Sequence, residues 1–122
     1  MKDILLQAAC LVEMEKRSAD AVYGPIRSSA EGAGVLAEEI QEFYDESLYF
    51  HMSNNSSISD LLRTVRMCEQ NELMAWLQEC RKNAMHAAAE AVQVAAVCDR
   101  FIEYLVKKEE EKHGHALEGD GQ

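Results

Sequence analysis

Proline is nearly absent: Pro25 is the only one in 122 residues. With so little to interrupt a backbone hydrogen-bond ladder, most of the chain can be α-helix, and a proline-rich or collagen-like organisation is excluded. Cysteine is sparse and unpaired in sequence. Cys10, Cys68, Cys80 and Cys98 form no CxxC motif, which speaks against a zinc ribbon or a disulfide framework. Free core thiols in a reducing cytoplasm are expected instead. No segment approaches the ~20 consecutive apolar residues of a membrane span. Met1-Lys2-Asp3-Ile4 carries an early acid with no long apolar run behind it, so no signal peptide is expected. Positive charge is also short: 12 Lys and Arg against 22 Asp and Glu leave a formal net charge of −10. That balance argues against nucleic-acid backbones and anionic membranes as main partners. It suits a soluble protein, and one able to hold divalent cations.

What remains is a chain that is 48% apolar, with its apolar residues at helical spacing and a length suited to one domain. A first helix is predicted from Asp3 to Tyr23, with Ile4, Ala8, Leu11, Val12, Ala19 and Val22 inward and Glu13, Lys16 and Arg17 toward water. Tyr23-Gly24-Pro25 ends it, since glycine suits a left-handed cap and proline cannot continue the ladder. A connection from Ile26 to Gly34 leads to a second helix, Gly34 to His51. Ser53-Asn54-Asn55-Ser56-Ser57 has the composition of a turn. Ser57-Ile58-Ser59-Asp60 resembles a capping box for a third helix reaching about Cys68, and Glu69-Gln70-Asn71 is a candidate interruption. From Asn71 to Glu111 nothing breaks a helix, and roughly forty residues would span about 60 Å. A globule of this size cannot cover such a helix alone, so it kinks or packs on a second chain. The expected fold is therefore an all-α bundle of four or so helices with one long C-terminal helix, completed by oligomerisation. It forms a single domain over 1–112, with a disordered tail over 113–122.

The stretch Val35 to Tyr44 organises the rest. Leu36, Ile40, Phe43 and Ser47 form a stripe, and Glu39, Glu42 and Glu46 fall together on its flank. Like charges three and four residues apart repel, so acids at the edge of a buried face call for a cation. A solvated acidic face accounts for the same pattern. On the long helix Asn83, His86, Glu90 and Gln93 share a side with Val94, Val97 and Phe101, with Glu90 near the centre of the stripe. A carboxylate there is paired, protonated or metal-bound. Facing helices with Glu39 and Glu42 on one and Glu90 and Gln93 on the other could hold Mg²⁺ through oxygen. A basic partner for Glu90 is the other solution.

Tyr23-Gly24-Pro25, Glu31-Gly32, Val35 through Glu42, and Ala89-Glu90-Ala91-Val92-Gln93-Val94-Ala95-Ala96 resemble the MazG-like nucleotide pyrophosphohydrolases. These belong to the all-α NTP pyrophosphohydrolases, whose signature is EExxE followed by ExxD. Glu38-Glu39-Ile40-Gln41-Glu42 matches the first motif. Gln93 stands where the second has Asp, the stretch between the motifs is longer than usual, and Ala30 replaces a frequent His.

The resemblance implies cleavage of a nucleoside or deoxynucleoside triphosphate between the α and β phosphates, dependent on Mg²⁺ or Mn²⁺. Glu39, Glu42 and Glu90 would ligate the metal, with Gln93 a weaker fourth. Glu38 could orient or deprotonate the attacking water. Arg63 and Lys82, with Arg66, Arg81 and Arg100, are candidates for the phosphates, though a surface charge explains each as well. Asn83 and His86 could touch base or sugar. A cytoplasmic homodimer or homotetramer is implied. The alternative is a non-catalytic helical nucleotide-binding or assembly protein, a degenerate relative without the ExxD Asp. A di-iron bundle wants two ExxH pairs, and only Glu110 to His113, at the start of the tail, has that spacing.

Overall fold

A computed structural model describes residues 1–67 and 69–120, and the side chains of these except 51–57, 60 and 115–120. The described residues are all-α, in three helices: α1 (Lys2–Tyr23), α2 (Ser29–Arg66) and α3 (Gln70–Asp120). The expected long C-terminal helix is present and has 51 residues. Among the described residues no helix is long and apolar enough to cross a membrane. The chain divides into two compact units, one of Met1–Glu39 with Val92–Gln122 and one of Ile40–Ala91.

In the first unit α1 stops where the sequence places the stop. Gly24 adopts φ 76°, a left-handed conformation that side chains with a β-carbon resist, and its N–H donates to the Asp20 carbonyl at 2.9 Å. The connection is shorter than expected, because α2 begins at Ser29 and not near Gly34. The cause is a cap: the Glu31 N–H donates to Ser28 Oγ at 3.0 Å. Ser28 with Glu31 three residues on has capping-box spacing, and the cap satisfies one of the first-turn donors that a helix leaves open. Ile26, Ala96 and Val97 are the buried apolar residues, and Gly32 is buried against the Phe101 ring. Arg100 is buried too. Its Nε donates to Asp20 Oδ1 at 2.8 Å and its Nη2 to the Gly24 carbonyl at 2.9 Å. A guanidinium out of water needs such partners, so Arg100 fastens α3 to the end of α1. Lys16 reaches from α1 to Glu103 on α3, and that hydrogen bond, opposed by desolvation, raises its pKa above the usual lysine value.

In the second unit α2 runs on as helix through 53–57, so the second and third helices expected from the sequence are one. Turn composition is a local preference, and a helix already formed on both sides overrides it because propagation is far easier than nucleation. The capping box proposed at Ser57–Asp60 rests on side chains outside the described set. The interruption at Glu69-Gln70-Asn71 is real but begins a little earlier: α2 ends at Arg66 and α3 starts at Gln70. The Met67 N–H bonds the Arg63 carbonyl at 3.0 Å and the Glu69 N–H bonds the Thr64 carbonyl at 3.1 Å, closing the helix end without glycine or proline. Thr64 and Asn83 are buried polar residues here, and Phe43, Phe50 and Trp76 are half-buried.

Three further expectations are corrected, two by the side chains and one by the backbone. Ile4, Leu11 and Val22 were assigned inward but are 65%, 51% and 70% exposed, because helical period identifies a stripe without saying what covers it. Cys10 is exposed and Cys80 and Cys98 half-buried; all three are free thiols but none is a core residue, and Cys68 lies outside the described residues. The backbone also stays helical to Asp120, through most of the expected tail, while residues 121–122 are outside the described set.

Candidate functional site

Unbroken helix between Glu39 and Glu42 sets these carboxylates one turn apart on the same flank of α2. Glu90 projects from α3. One carboxylate oxygen from each of Glu39, Glu42 and Glu90 lies within 4.8 Å of the others. If every group were ionised, each pair would repel by about 1 kcal/mol in bulk water and by about 3 kcal/mol at an effective dielectric constant near 20. The structure shows where that strain falls. Partial burial raises the Glu90 pKa above its ordinary value, and the charges of Glu42 and Glu46 and a hydrogen bond with Glu42 raise it further. His86, one turn earlier on α3, acts against them. Either a proton or a cation relieves such a cluster, and the trio of glutamates could hold a metal ion. Its donors are all carboxylate oxygens, which suit hard divalent cations.

Glu38 and Gln93 lie in the first unit with Glu39, on the wall of a cavity of about 550 Å³. Glu38 is exposed and Gln93 half-buried. Ala19, Ile26, Val35, Ala96 and Val97 supply an apolar lining, and Glu15, Tyr23, Arg27, Glu31 and Arg100 complete it. The volume is within the usual range for small-molecule sites. Arg27 Nε donates to Glu31 Oε2 at 3.2 Å.

The remaining sequence candidates are placed differently. Asn83 is buried in the second unit, and His86, Arg63 and Lys82 are exposed there; none of the four lines the cavity. Arg100 does line it, but its guanidinium is engaged with Asp20 and Gly24 and its first role is structural. Glu46, which the sequence groups with Glu39 and Glu42 on one flank of α2, is a further charge acting on Glu90. Glu15 and Arg27 also line the cavity without any signal in the sequence beyond their type, and Tyr23, noted there only within the Tyr23-Gly24-Pro25 segment, lines it as well. No family model, curated protein or solved structure matches the chain.

Proposed function

We propose that this protein is a Mg²⁺-dependent nucleoside triphosphate pyrophosphohydrolase, with Mn²⁺ as a possible substitute, releasing pyrophosphate and a nucleoside monophosphate. The observation that carries the reading is the meeting of Glu39 and Glu42, from the EExxE segment, with Glu90, from the ExxQ segment, within 4.8 Å. Two motifs about fifty residues apart converge on one point with the donor chemistry that triphosphate hydrolysis needs.

A divalent ion held there would offset charge on the phosphates and on the departing pyrophosphate. The chain's own residues supply the rest. Glu39, Glu42 and Glu90 would hold the ion, and Gln93 would offer a neutral carboxamide oxygen from the next turn of α3. Glu38, exposed at the cavity wall, would orient the attacking water or accept its proton. Arg63 and Lys82 meet phosphate only if the substrate or a second subunit brings it to them, and Asn83 and His86 stand in the same position toward base or sugar. The many exposed large apolar side chains, among them Leu5, Leu6, Ile102 and Leu105, favour a homodimer or homotetramer. The free thiols of Cys10, Cys80 and Cys98 are compatible with a cytoplasmic setting.

One observation favours the non-catalytic alternative: Gln93 removes a charge from the ligand set. Pyrophosphate release should be measured with Mg²⁺ across the eight common ribo- and deoxyribonucleoside triphosphates. Turnover that disappears in Glu42→Gln and Glu90→Gln is the expected result. No release from any nucleotide at millimolar Mg²⁺ would leave the binding or assembly protein.

A further inference from the structure

The cavity of the first unit has two chemically different ends. Glu38, Glu39 and Gln93 mark one end. Glu31 lies eight residues before Glu39 on α2, about 12 Å along the helix axis. Tyr23, Ile26 and Arg27 share Glu31's end, as does Arg100, whose bond to the Gly24 carbonyl fixes it beside the turn after Tyr23. Arg100 is committed to Asp20 and Gly24, so the charged groups that can meet a ligand at this end are Arg27 and Glu31. These are joined by a single bond from Arg27 Nε to Glu31 Oε2 at 3.2 Å. The bond leaves the terminal guanidinium N–H groups beside a carboxylate that has further acceptor capacity.

A donor beside a two-oxygen acceptor is best matched by an edge with one acceptor beside two adjacent donors. Guanine offers adjacent N1–H and N2–H₂ donors next to its O6 acceptor. Adenine and cytosine offer one exocyclic donor beside a ring acceptor, and uracil and thymine offer N3–H between two carbonyls. The Tyr23 ring adds an exposed surface against which a base can stack.

We propose that the Tyr23, Arg27 and Glu31 end of the cavity reads the base of a guanine nucleotide, with the phosphates directed toward Glu38 and Glu39. The direction of the phosphates rests on the pyrophosphohydrolase reading; the base preference rests on the cavity itself. The test is calorimetric binding of GMP, IMP, AMP, CMP and UMP to the full chain with Mg²⁺. GMP should bind at least tenfold more tightly than IMP, which lacks the N2 amine, and than the other three. In Glu31→Gln, GMP should lose at least tenfold in affinity while the others change less than twofold. Glutamine is acceptable at this capping position, and the backbone N–H bonded to Ser28 is untouched. The wild-type ratio of GMP to IMP needs no variant at all. GMP binding no tighter than IMP, or no binding of any monophosphate at millimolar concentration, overturns the proposal. Pyrophosphate release separates the two readings. Equal turnover of all nucleotides sinks the guanine preference and keeps the enzyme, whereas GMP-selective binding without turnover does the reverse.

Discussion

Phe101 lies so close to Gly32 that a β-carbon at position 32 would stand 2.8 Å from its ring. Glycine is used here for room, on a helix whose φ it does not need to relax. An aromatic ring packed on bare backbone brings α3 against the first turns of α2. It does so within the unit that holds the cavity.

Gly32→Ala is therefore expected to destabilise the protein by about 1–3 kcal/mol through overpacking, although alanine is the better helix former. Thermal unfolding of the single mutant and of Gly32→Ala with Phe101→Leu measures it. The smaller side chain at 101 should cost stability alone and recover part of the loss in the double mutant. Purely additive losses would show that the ring and the glycine do not interact.

Glu90 gives a pH dependence of definite sign. Its folded-state pKa is raised, so the folded protein keeps a proton that the unfolded chain has released. Stability of the metal-free protein therefore falls as pH climbs from the ordinary glutamate range toward the raised value, and the penalty is absent below that range. Glu90→Gln should flatten this part of the profile and raise the melting temperature at neutral pH in the absence of metal. A mutant profile parallel to that of the wild type would contradict it.

Divalent ions should invert that behaviour. Mg²⁺ at a hundredfold excess over its dissociation constant stabilises a folded state by about 2.7 kcal/mol. The wild-type melting temperature should rise accordingly, and Glu42→Gln or Glu90→Gln should lose the response. Because binding competes with the proton on Glu90, the Mg²⁺ effect should strengthen as pH increases.

Gln93→Asp tests the incomplete second motif. If the ion sits among Glu39, Glu42 and Glu90, the added anion lowers the Mg²⁺ concentration for half-maximal pyrophosphate release, by roughly tenfold for each 1.4 kcal/mol gained. If Gln93 is instead a neutral packing residue, aspartate costs about 1–3 kcal/mol of stability and changes no activity. Melting temperature and turnover on one preparation discriminate the two.

Association is expected from the small core. Among the described residues only Ile26, Ala96 and Val97 are buried apolar side chains, while Ile40, Leu48, Leu105 and Val106 are among the many left exposed. Sedimentation at micromolar concentration should find a dimer or tetramer, and a monomer there would refute it.

The members of the acidic trio could be picked out in advance because each stands out in its own helix. Glu39 and Glu42 share a face by helical period, and Glu90 was conspicuous as a carboxylate inside an alanine and valine run. The stop at Gly24 was legible because its signal is local. Arg100 was not, because its partners, Asp20 and the Gly24 carbonyl, are 80 and 76 positions away. The continuity of α2 through Ser53–Ser57 was hidden by turn-forming residues whose preference a cooperative helix overrode. The early start of α2 was missed for a simpler reason: Ser28 and Glu31 sit in a run of small residues that invites reading as a loop. Exposure on α1 was misjudged because an amphipathic stripe predicts a covering without identifying it.

Arg100 stands seven residues, two helical turns, beyond Gln93 on α3. Its two hydrogen bonds end on points fixed by α1, so α3 cannot slide along its own axis by even one residue without breaking both. A salt bridge two turns along α3 from Gln93 thus works as a register pin. It sets the height at which Gln93 arrives opposite Glu38 and Glu39, and Arg100→Lys, which keeps the charge and loses the fork, would leave that height unset.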